Sequence, residues 1–589
     1  MRLVEMVPDD TGTCIPPDGC RKDFAYSDGV EIEETLLAAV MRASDRSSCS
    51  TELKASIVDW PTRYHLSPSR SNLLRPLAEI RADAKVLELG CGCGALTRYL
   101  GETCRHVDAV EGSAKRARIA RERCKDLENV QVYAADFLDL EFDPQYDVVT
   151  LIGVLEYAAV YSTGKPVSRD DPFLAVLRLA RSALKDGGVL VLAIENQIGL
   201  KYWAGCNEDH TALIFHGIHG YPRDGADKPG PETFSRRALG DLLRKAGLAC
   251  ADFYFPLPDY KLPHSVIADG EAVRDGNLYL HNWWATGFDD FREQRAYLFS
   301  EPLVSRTICR AGLMGEMANS FLVVASAKDL HRHGVAGART GAEGSRWIAK
   351  RYSTERRPCY STETTMYEAG GEVRVSKRLL RSSPGPGNGS GFRVKELDDS
   401  WQPGDLLLYR FYEAFMDRKD IVARLLSEMG SLNELLISWK GTGTMDEEGY
   451  PLVHGSAFDF GPWNIVVFDG EYVPIDDEWE SDGEFAADYI MYRCMHNVLF
   501  WMQGYLAANG QMSSGPEALG LTILELLRAL YPDYDEARHS KNVILEQKMQ
   551  QCLHGLREWD QADTTADREG EGPRRNNMHT LVQAPGAAG

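Results

Sequence analysis

Between residues 85 and 195 short apolar runs alternate with amphipathic stretches. The runs 85–89, 106–111, 130–134, 146–152 and 189–195 have the length and the apolar content of buried strands, and helical periodicity fills 95–102, 113–124 and 172–184 between them. Strands that are apolar along most of their length, separated by helices, predict a parallel sheet covered on both faces. A further helix is predicted over 235–246, followed by a strand over 251–255, and 321–327 reads as a late edge strand. Ahead of the sheet a helical pattern covers 31–44. The polar and aromatic segment Trp60-Pro-Thr-Arg-Tyr-His-Leu-Ser-Pro-Ser-Arg70 comes next, where it could fold over the sheet as a lid.

After Lys328 the chain turns rich in Gly, Ala, His and Arg, and a new apolar pattern begins near Trp347. This predicts an N-terminal helical and lid segment over 1–75, an α/β domain over 76–328, a linker over 329–346, a second domain over 347–558 and a disordered tail over 559–589. A length of 589 residues is more than one core usually serves, in keeping with two. The Ser/Pro/Gly run 382–391 reads as a mobile loop, because it can bury almost nothing against the entropy of ordering it. About 60 residues rich in Pro, Tyr, Trp and His separate the last two strands of the first domain, long enough to predict a functional insertion at the acceptor side.

Composition narrows the function classes. A net charge of −22 and a pI near 5.2 disfavour a broad nucleic-acid face. No apolar run approaches the roughly 20 residues of a membrane helix. The first residues lack the basic-then-apolar order of a secretory signal, and 13 scattered cysteines, an odd number, suit reduced thiols, so a cytoplasmic protein is expected.

The first chemical motif is Glu88-Leu-Gly-Cys-Gly-Cys-Gly94, which joins a strand to a helix. Gly90, Gly92 and Gly94 let the backbone turn sharply and approach a ligand at a helix N-terminus. The spacing G-x-G-x-G with an acid two residues earlier differs from the dinucleotide G-x-G-x-x-G and favours S-adenosylmethionine, which carries no pyrophosphate. Glu111 ends the next strand, where its carboxylate can accept both ribose hydroxyls. Asp136 and Phe137 follow the third strand, suited to the adenine amino group and ring, and Asp147 opens the fourth. This ordered set resembles the class I methyltransferases over roughly 76–328. The resemblance implies a Rossmann-like seven-stranded sheet with an antiparallel edge hairpin and the cofactor above the strand carboxyl ends. Tyr64, His65 and Arg70 of the lid are candidates to contact cofactor or acceptor.

The blocks Ile152-Gly-Val-Leu-Glu-Tyr157 and 195–210 look like a bacterial subgroup associated with cell-surface polysaccharide synthesis. Methyl transfer needs the acceptor held in line with the donor. An alcohol acceptor also needs a base, for which His210, Glu156 and Glu195 are candidates, whereas an anionic acceptor such as a phosphate needs none. Trp203, Trp283, Trp284 and Tyr221 could stack on sugar rings or pack the interior.

Downstream, His454-Gly-Ser-Ala-Phe-Asp459-Phe-Gly-Pro-Trp-Asn464 precedes a strand and then Asp476. An acid, an Asn five residues on and a strand leading to a second acid resemble the protein-kinase and aminoglycoside-phosphotransferase superfamily. That resemblance implies an α+β, two-lobed domain. Asp459 would orient the attacking hydroxyl, Asn464 and Asp476 would hold Mg2+ against ATP, and Lys377 or Lys350 would sit on the phosphates. Glu396 and Glu413 are open as the lysine's partner, and Asp477 blurs which acid is the ligand. His454 stands five residues before Asp459 rather than two, and no glycine-rich loop precedes Lys377, so a non-catalytic, pseudokinase-like domain is the alternative.

The two-domain order is similar to bifunctional O-antigen chain terminators. It implies a saccharide, glycolipid or sugar-phosphate acceptor and peripheral association with membrane-bound glycan assembly enzymes. No sustained heptads follow residue 530.

Overall fold

The computed structural model describes residues 1–17, 29–161, 170–222, 230–285, 287, 295–328, 346–380, 391–417, 420–511 and 516–554. Of the expected linker over 329–346 all but 346, of the Ser/Pro/Gly loop over 382–391 all but 391, and the whole tail over 559–589 lie outside the described residues. Ten strands form the front of the molecule: β1 Val7–Pro8, β2 Cys14–Ile15, β3 Lys85–Leu89, β4 His106–Glu111, β5 Val130–Ala134, β6 Tyr146–Ile152, β7 Leu184–Glu195, β8 Cys250–Leu257, β9 Ser265–Ala268 and β10 Ser320–Ser326. The rear adds β11 Arg346–Tyr352, β12 Thr362–Ala369, β13 Glu372–Leu379, β14 Phe392–Val394 and β15 Leu397–Ser400.

At the centre, β5-β4-β3-β6-β7 run parallel, as the apolar runs require. Helices Ala95–Thr103, Ala114–Arg123, Asp171–Ala183 and Arg236–Lys245 cover the sheet, and two separate apolar cores lie against it. Ser113 and Ser235 start two of these helices by accepting from the amides of Arg116 and Ala238. Gly94 starts Ala95–Thr103 with no side-chain cap, so that helix presents its first amides to the glycine loop.

Two expectations are corrected here. The 321–327 strand is not an edge: β10 inserts antiparallel between β7 and β8, and all seven of its residues are buried. Nor does the sheet stop at seven strands. β9 extends it beyond β8, and β11 pairs with the free side of β9 through Ala349–Ile267, Lys350–Val266 and Arg351–Ser265. The result is one sheet of 14 strands, in the order β1-β2-β5-β4-β3-β6-β7-β10-β8-β9-β11-β12-β13-β15. The physical reason is the unsatisfied edge that β9 would otherwise expose. Packing follows the pairing: Trp347 stacks on Tyr254 at 5.5 Å, and Ile348, Ala349 and Met366 join the front core.

The rest of the rear combines helices with the short strands Asp405–Leu406, Gly441–Met445, Pro451–His454, Ile465–Phe468, Glu471–Pro474, Trp479–Ser481 and Glu484–Ala486. Leu408–Met416, Ile421–Lys440, Ala487–Ala508 and Pro516–Leu530 bury a core of their own, and Glu536–His554 packs along it. The insertion after β9 seats this unit against the front. The Tyr409 and Tyr412 hydroxyls donate to the carbonyls of His281 and Ala285, while His281, Arg306 and Arg310 engage Asp405. Among the described residues no helix is long and apolar enough to cross a membrane.

Candidate active site

A cavity of about 410 Å³ opens above the carboxyl ends of β3, β4, β6 and β7. The glycine turn forms its floor. Gly90 has φ +80°, and a Cβ there would stand 2.5 Å from Val154 Cγ2; Gly94 has φ +78°, and its Cβ would stand 2.7 Å from Ala120 Cα. The turn therefore requires glycine both for its conformation and for its closeness to neighbours.

Glu88, 4% exposed, accepts from Thr97 Oγ1 at 2.6 Å. Burial pushes its pKa up to about 7, opposed by Thr97 and Arg70. Glu111 accepts from the amides of Gly92 at 2.8 Å and Ser113 at 2.9 Å, so it braces the loop whose cavity it lines. Phe137 also lines the cavity, while Asp136 beside it caps the following turn by accepting from Leu138 N at 2.9 Å.

Asp147 requires a correction. It begins β6, at the opposite edge of the sheet from the cavity, where it binds Lys85 N, Lys185 and Arg81. Parallel strands carry their ligands at their carboxyl ends, so an acid that opens a strand faces the wrong way.

The segment predicted as a lid forms the helix Trp60–Leu66, started by an Asp59–Thr62 capping box, and a following turn. Tyr64, His65 and Arg70 all line the cavity. Arg70 is buried; its guanidinium donates to the carbonyls of Tyr260 and Lys261 and to Tyr64 Oη. The arginine thus fastens the N-terminal segment to the loop after β8.

Glu156, Glu195 and His210 meet on the far wall of the cavity. His210 Nε2 is 3.4 Å from Glu195 Oε2, and its Nδ1 is 3.1 Å from Tyr157 Oη. Lys261 Nζ lies 2.5 Å from Glu195 Oε1, and Asp209, Asp259 and Lys201 continue the network. Burial would raise the Glu195 pKa, but Lys261 and His210 hold it well below the ordinary range. Burial disfavours the imidazolium of His210, yet Glu195 and Glu156 carry its pKa up to about 9. For Glu156 burial and the Glu195 charge act together, pushing it up to about 8. Among the described residues neither Glu156 oxygen has a hydrogen-bond partner beyond its own backbone. Of the three candidates, Glu195 is tied to cations, and His210 and Glu156 both hold protons near neutrality, Glu156 less firmly, so the ionised form of Glu156 is the one most readily reached to accept a proton.

A second cavity of about 920 Å³ lies between the insertion and the rear unit, and Lys377, Asp459, Asn464 and Asp476 all line it. Lys377 pairs with Asp476 and, at 2.8 Å, with Glu478, which is 1% exposed and also takes Arg356 at 2.8 Å. Burial would raise Glu478, but Arg356 and Lys377 bring it to about 2, while burial and the charges of Glu478 and Asp476 push Asp459 up to about 7. Asn464 Nδ2 donates to the Asp459 carbonyl. The open choices resolve on geometry. Lys350 pairs with Glu363 across β11 and β12, Glu413 pairs with Arg306, and Glu396 accepts from Leu379 N, so Glu478 is the lysine's partner. Asp476 sits in the cavity with φ +59°, a strained backbone for a non-glycine residue, while Asp477 turns away to Lys440 and Lys395.

Several cavity residues carry no sequence signal. Tyr260 and Lys261 follow β8 in an irregular loop, and Arg351, Arg356 and Arg493 approach the rear cavity from three elements. Of the aromatic candidates, Trp284 and Tyr221 are interior packing, Trp283 lines the rear cavity, and Trp203 is 44% exposed.

Residues 87–190 match the family model described as a methyltransferase domain. Ribosomal RNA small subunit methyltransferase A of Syntrophus aciditrophicus is 33% identical over 99 residues, covering 17% of this chain and 33% of that protein. Ubiquinone biosynthesis O-methyltransferase of Histophilus somni is 25% identical over 153 residues, covering 25% of this chain and 59% of that one. The chain thus spans a third and about three-fifths of those relatives. Among solved structures, the DhpI–SAH complex is 24% identical with a TM-score of 0.23, covering 38% of this chain and 89% of that one. N-methyltransferase NodS of Bradyrhizobium japonicum WM9 with S-adenosyl-L-homocysteine is 22% identical with a TM-score of 0.21, covering 27% and 78%. What these comparisons show of the chain is a methyltransferase domain over residues 87–190.

Proposed function

We propose that the protein transfers a methyl group from S-adenosylmethionine to a hydroxyl of a saccharide, glycolipid or sugar-phosphate acceptor in cell-surface polysaccharide synthesis. The carrying observation is the two-ended cavity: a glycine turn with Glu88, Glu111 and Phe137 at one end, and the Glu156–Glu195–His210 wall at the other. The turn fits the donor, because Gly92 brings bare backbone to the cavity, where a Cβ would meet Arg116 at 3.4 Å and His65 at 3.9 Å on the cavity wall. Bound there, S-adenosylmethionine supplies an electrophilic methyl. An alcohol oxygen held in line would take that methyl from sulfur, the thioether would be released, and Glu156, once ionised, would receive the alcohol's proton. Tyr64, Arg70 and Tyr260 close the cavity over the reacting atoms, and exclusion of water and alignment provide most of the rate.

The names of the relatives range over ribosomal RNA and ubiquinone biosynthesis, so the shared stretch speaks for the donor half alone. The acceptor reading rests on the resemblance of 152–157 and 195–210 and on the neighbouring cavity. For that cavity we propose binding of Mg2+-ATP and phosphorylation of the same acceptor. It is favoured by the convergence of Lys377, Asp459, Asn464 and Asp476 from separate elements. In this scheme the protein works at the membrane-bound glycan assembly machinery from the cytoplasmic side, and nucleic acid is not its partner.

The test incubates full-length protein with methyl-labelled S-adenosylmethionine, γ-labelled ATP and an oligosaccharide acceptor, and weighs the product by mass spectrometry. A gain of one methyl supports the main reading. A concurrent phosphate that disappears in Asp459→Ala supports the second. Nucleotide binding without label transfer makes the rear unit a non-catalytic binding domain, and no methyl on any saccharide overturns the acceptor class.

A further inference from the structure

We infer that Glu156, Glu195 and His210 form a binding site for a divalent cation of the magnesium or manganese class, placed so that the cation chelates neighbouring hydroxyls of the acceptor. The site stands on geometry. One ligand atom from each residue lies within 4.8 Å of the others, and the three come from the turn after β6, the end of β7 and the loop beyond it. Two carboxylates and one imidazole leave coordination positions open, and oxygen-rich sets of this kind select hard divalent ions.

A second observation points the same way. Glu156 is 1% exposed, lines the cavity, and among the described residues has no other residue's hydrogen bond on either oxygen. Leaving a buried carboxylate so is costly and is relieved by a positive ligand. Glu195 gives Oε1 to Lys261, which leaves Oε2 facing the site. Tyr157 Oη lies at hydrogen-bond distance from His210 Nδ1, the outer-shell contact that fixes which ring nitrogen is free to bind.

Charge balance agrees. With Glu156 ionised and His210 neutral, as ligands of a cation, the four carboxylates Glu156, Glu195, Asp209 and Asp259 face two cations, Lys201 and Lys261, and the two negative charges in excess are those that the protons on Glu156 and His210 offset without the ion. Glu208 adds another carboxylate one shell out, where it accepts from the amides of His210 and Thr211. A divalent ion balances the inner set. It would also lower the pKa of a coordinated hydroxyl, whose proton passes to the oxygen of Glu156 that does not hold the ion. The cation's part in methyl transfer rests on the proposed function above; the site itself does not.

The experiment titrates Mn2+ into full-length, chelator-stripped protein and follows free Mn2+ by electron paramagnetic resonance. Asp459→Ala is the reference, because it disarms the rear cluster of Asp459, Asp476 and Glu478. The reference protein should bind one Mn2+, and adding Glu156→Gln should weaken binding by about 10- to 100-fold or more. Identical isotherms with and without Glu156→Gln, or no Mn2+ bound by the reference protein, overturn the site. Stabilisation by S-adenosylmethionine, read as a thermal shift in each variant without metal, verifies folding. Its loss in the wild type as well would sink the methyl-donor reading while leaving the Mn2+ comparison decisive for the cation.

Discussion

Replacing Gly94 by alanine tests whether the turn is shaped by contact or by conformation alone. At φ +78° any L side chain pays about 1–2 kcal/mol. The added Cβ would also lie 2.7 Å from Ala120 Cα and 2.9 Å from Ala120 Cβ, inside the Ala114–Arg123 helix, which yields only if two packed helices part. Overpacking of that kind costs about 1–3 kcal/mol more. Gly187 supplies the control: its φ is +79°, and a Cβ added there would meet nothing within 4 Å. Gly94→Ala should therefore be less stable than Gly187→Ala by about 1–3 kcal/mol, on the order of 2–12 °C in melting temperature for a unit of this size. Calorimetric titration with S-adenosylmethionine should show weakened binding in Gly94→Ala alone, since only that change moves the start of the Ala95–Thr103 helix. Two variants within about 0.5 kcal/mol of each other and equal in affinity would refute the contact argument.

Glu111→Ala removes the acceptor of the Gly92 and Ser113 amides, and should abolish the stabilisation that saturating S-adenosylmethionine confers, about 2.7 kcal/mol at 100 times Kd, in a thermal-shift assay. Glu156 and His210 keep protons, up to about 8 and about 9, that an unfolded chain gives up near 4.5 and 6.5. Their contributions are complete below those unfolded values and disappear as pH rises through the folded ones, so metal-free protein should lose stability from pH 4.5 to 9 at about 1.4 kcal/mol per pH unit for each group that only the folded chain keeps protonated, and Glu156→Gln should remove this pair's share of the slope below pH 6.5. Glu478→Gln leaves Arg356 and Lys377 with one buried counter-charge fewer, and should cost the rear unit about 3–5 kcal/mol in urea unfolding followed by tryptophan fluorescence.

The parallel core was legible because β3 to β7 are buried on both faces and therefore read as apolar runs with helices between them. The place of β10 was not, since pairing between strands far apart in sequence leaves no local periodicity. β9, four residues long after an irregular loop, offers too little pattern to announce that it would carry the sheet onward to β11. In the cavity, Glu88, Glu111 and Glu195 all stand at or near strand carboxyl ends, where a parallel sheet directs its ligands. Asp147 was misplaced although strand direction already told against it. Lys261 and Glu478 were beyond reach for a different reason. Each acts through a partner from a distant element, and one chain read alone does not show which distant residues meet.

The two cavities are joined through three consecutive residues. Asn72 Nδ2 donates to Thr354 Oγ1 at 2.9 Å, and the Ser67 and Ser69 hydroxyls donate to Glu355 at 2.6 and 2.7 Å. Arg356, next in the chain, holds the Glu478 that holds Lys377. The segment carrying Arg70 over the front cavity is thus fastened to the ion pairs of the rear one, while the insertion clamps Asp405 from the other side. Because β9 and β11 also share a sheet edge, parting the units would uncover backbone groups, a buried carboxylate and the Trp347–Tyr254 stack together. Each of those costs free energy of the same sign, so the front and rear sites are held in one fixed relation, with the Glu355 contacts of the Arg70 segment and the Arg356–Glu478–Lys377 pairs carried by adjacent residues of one segment.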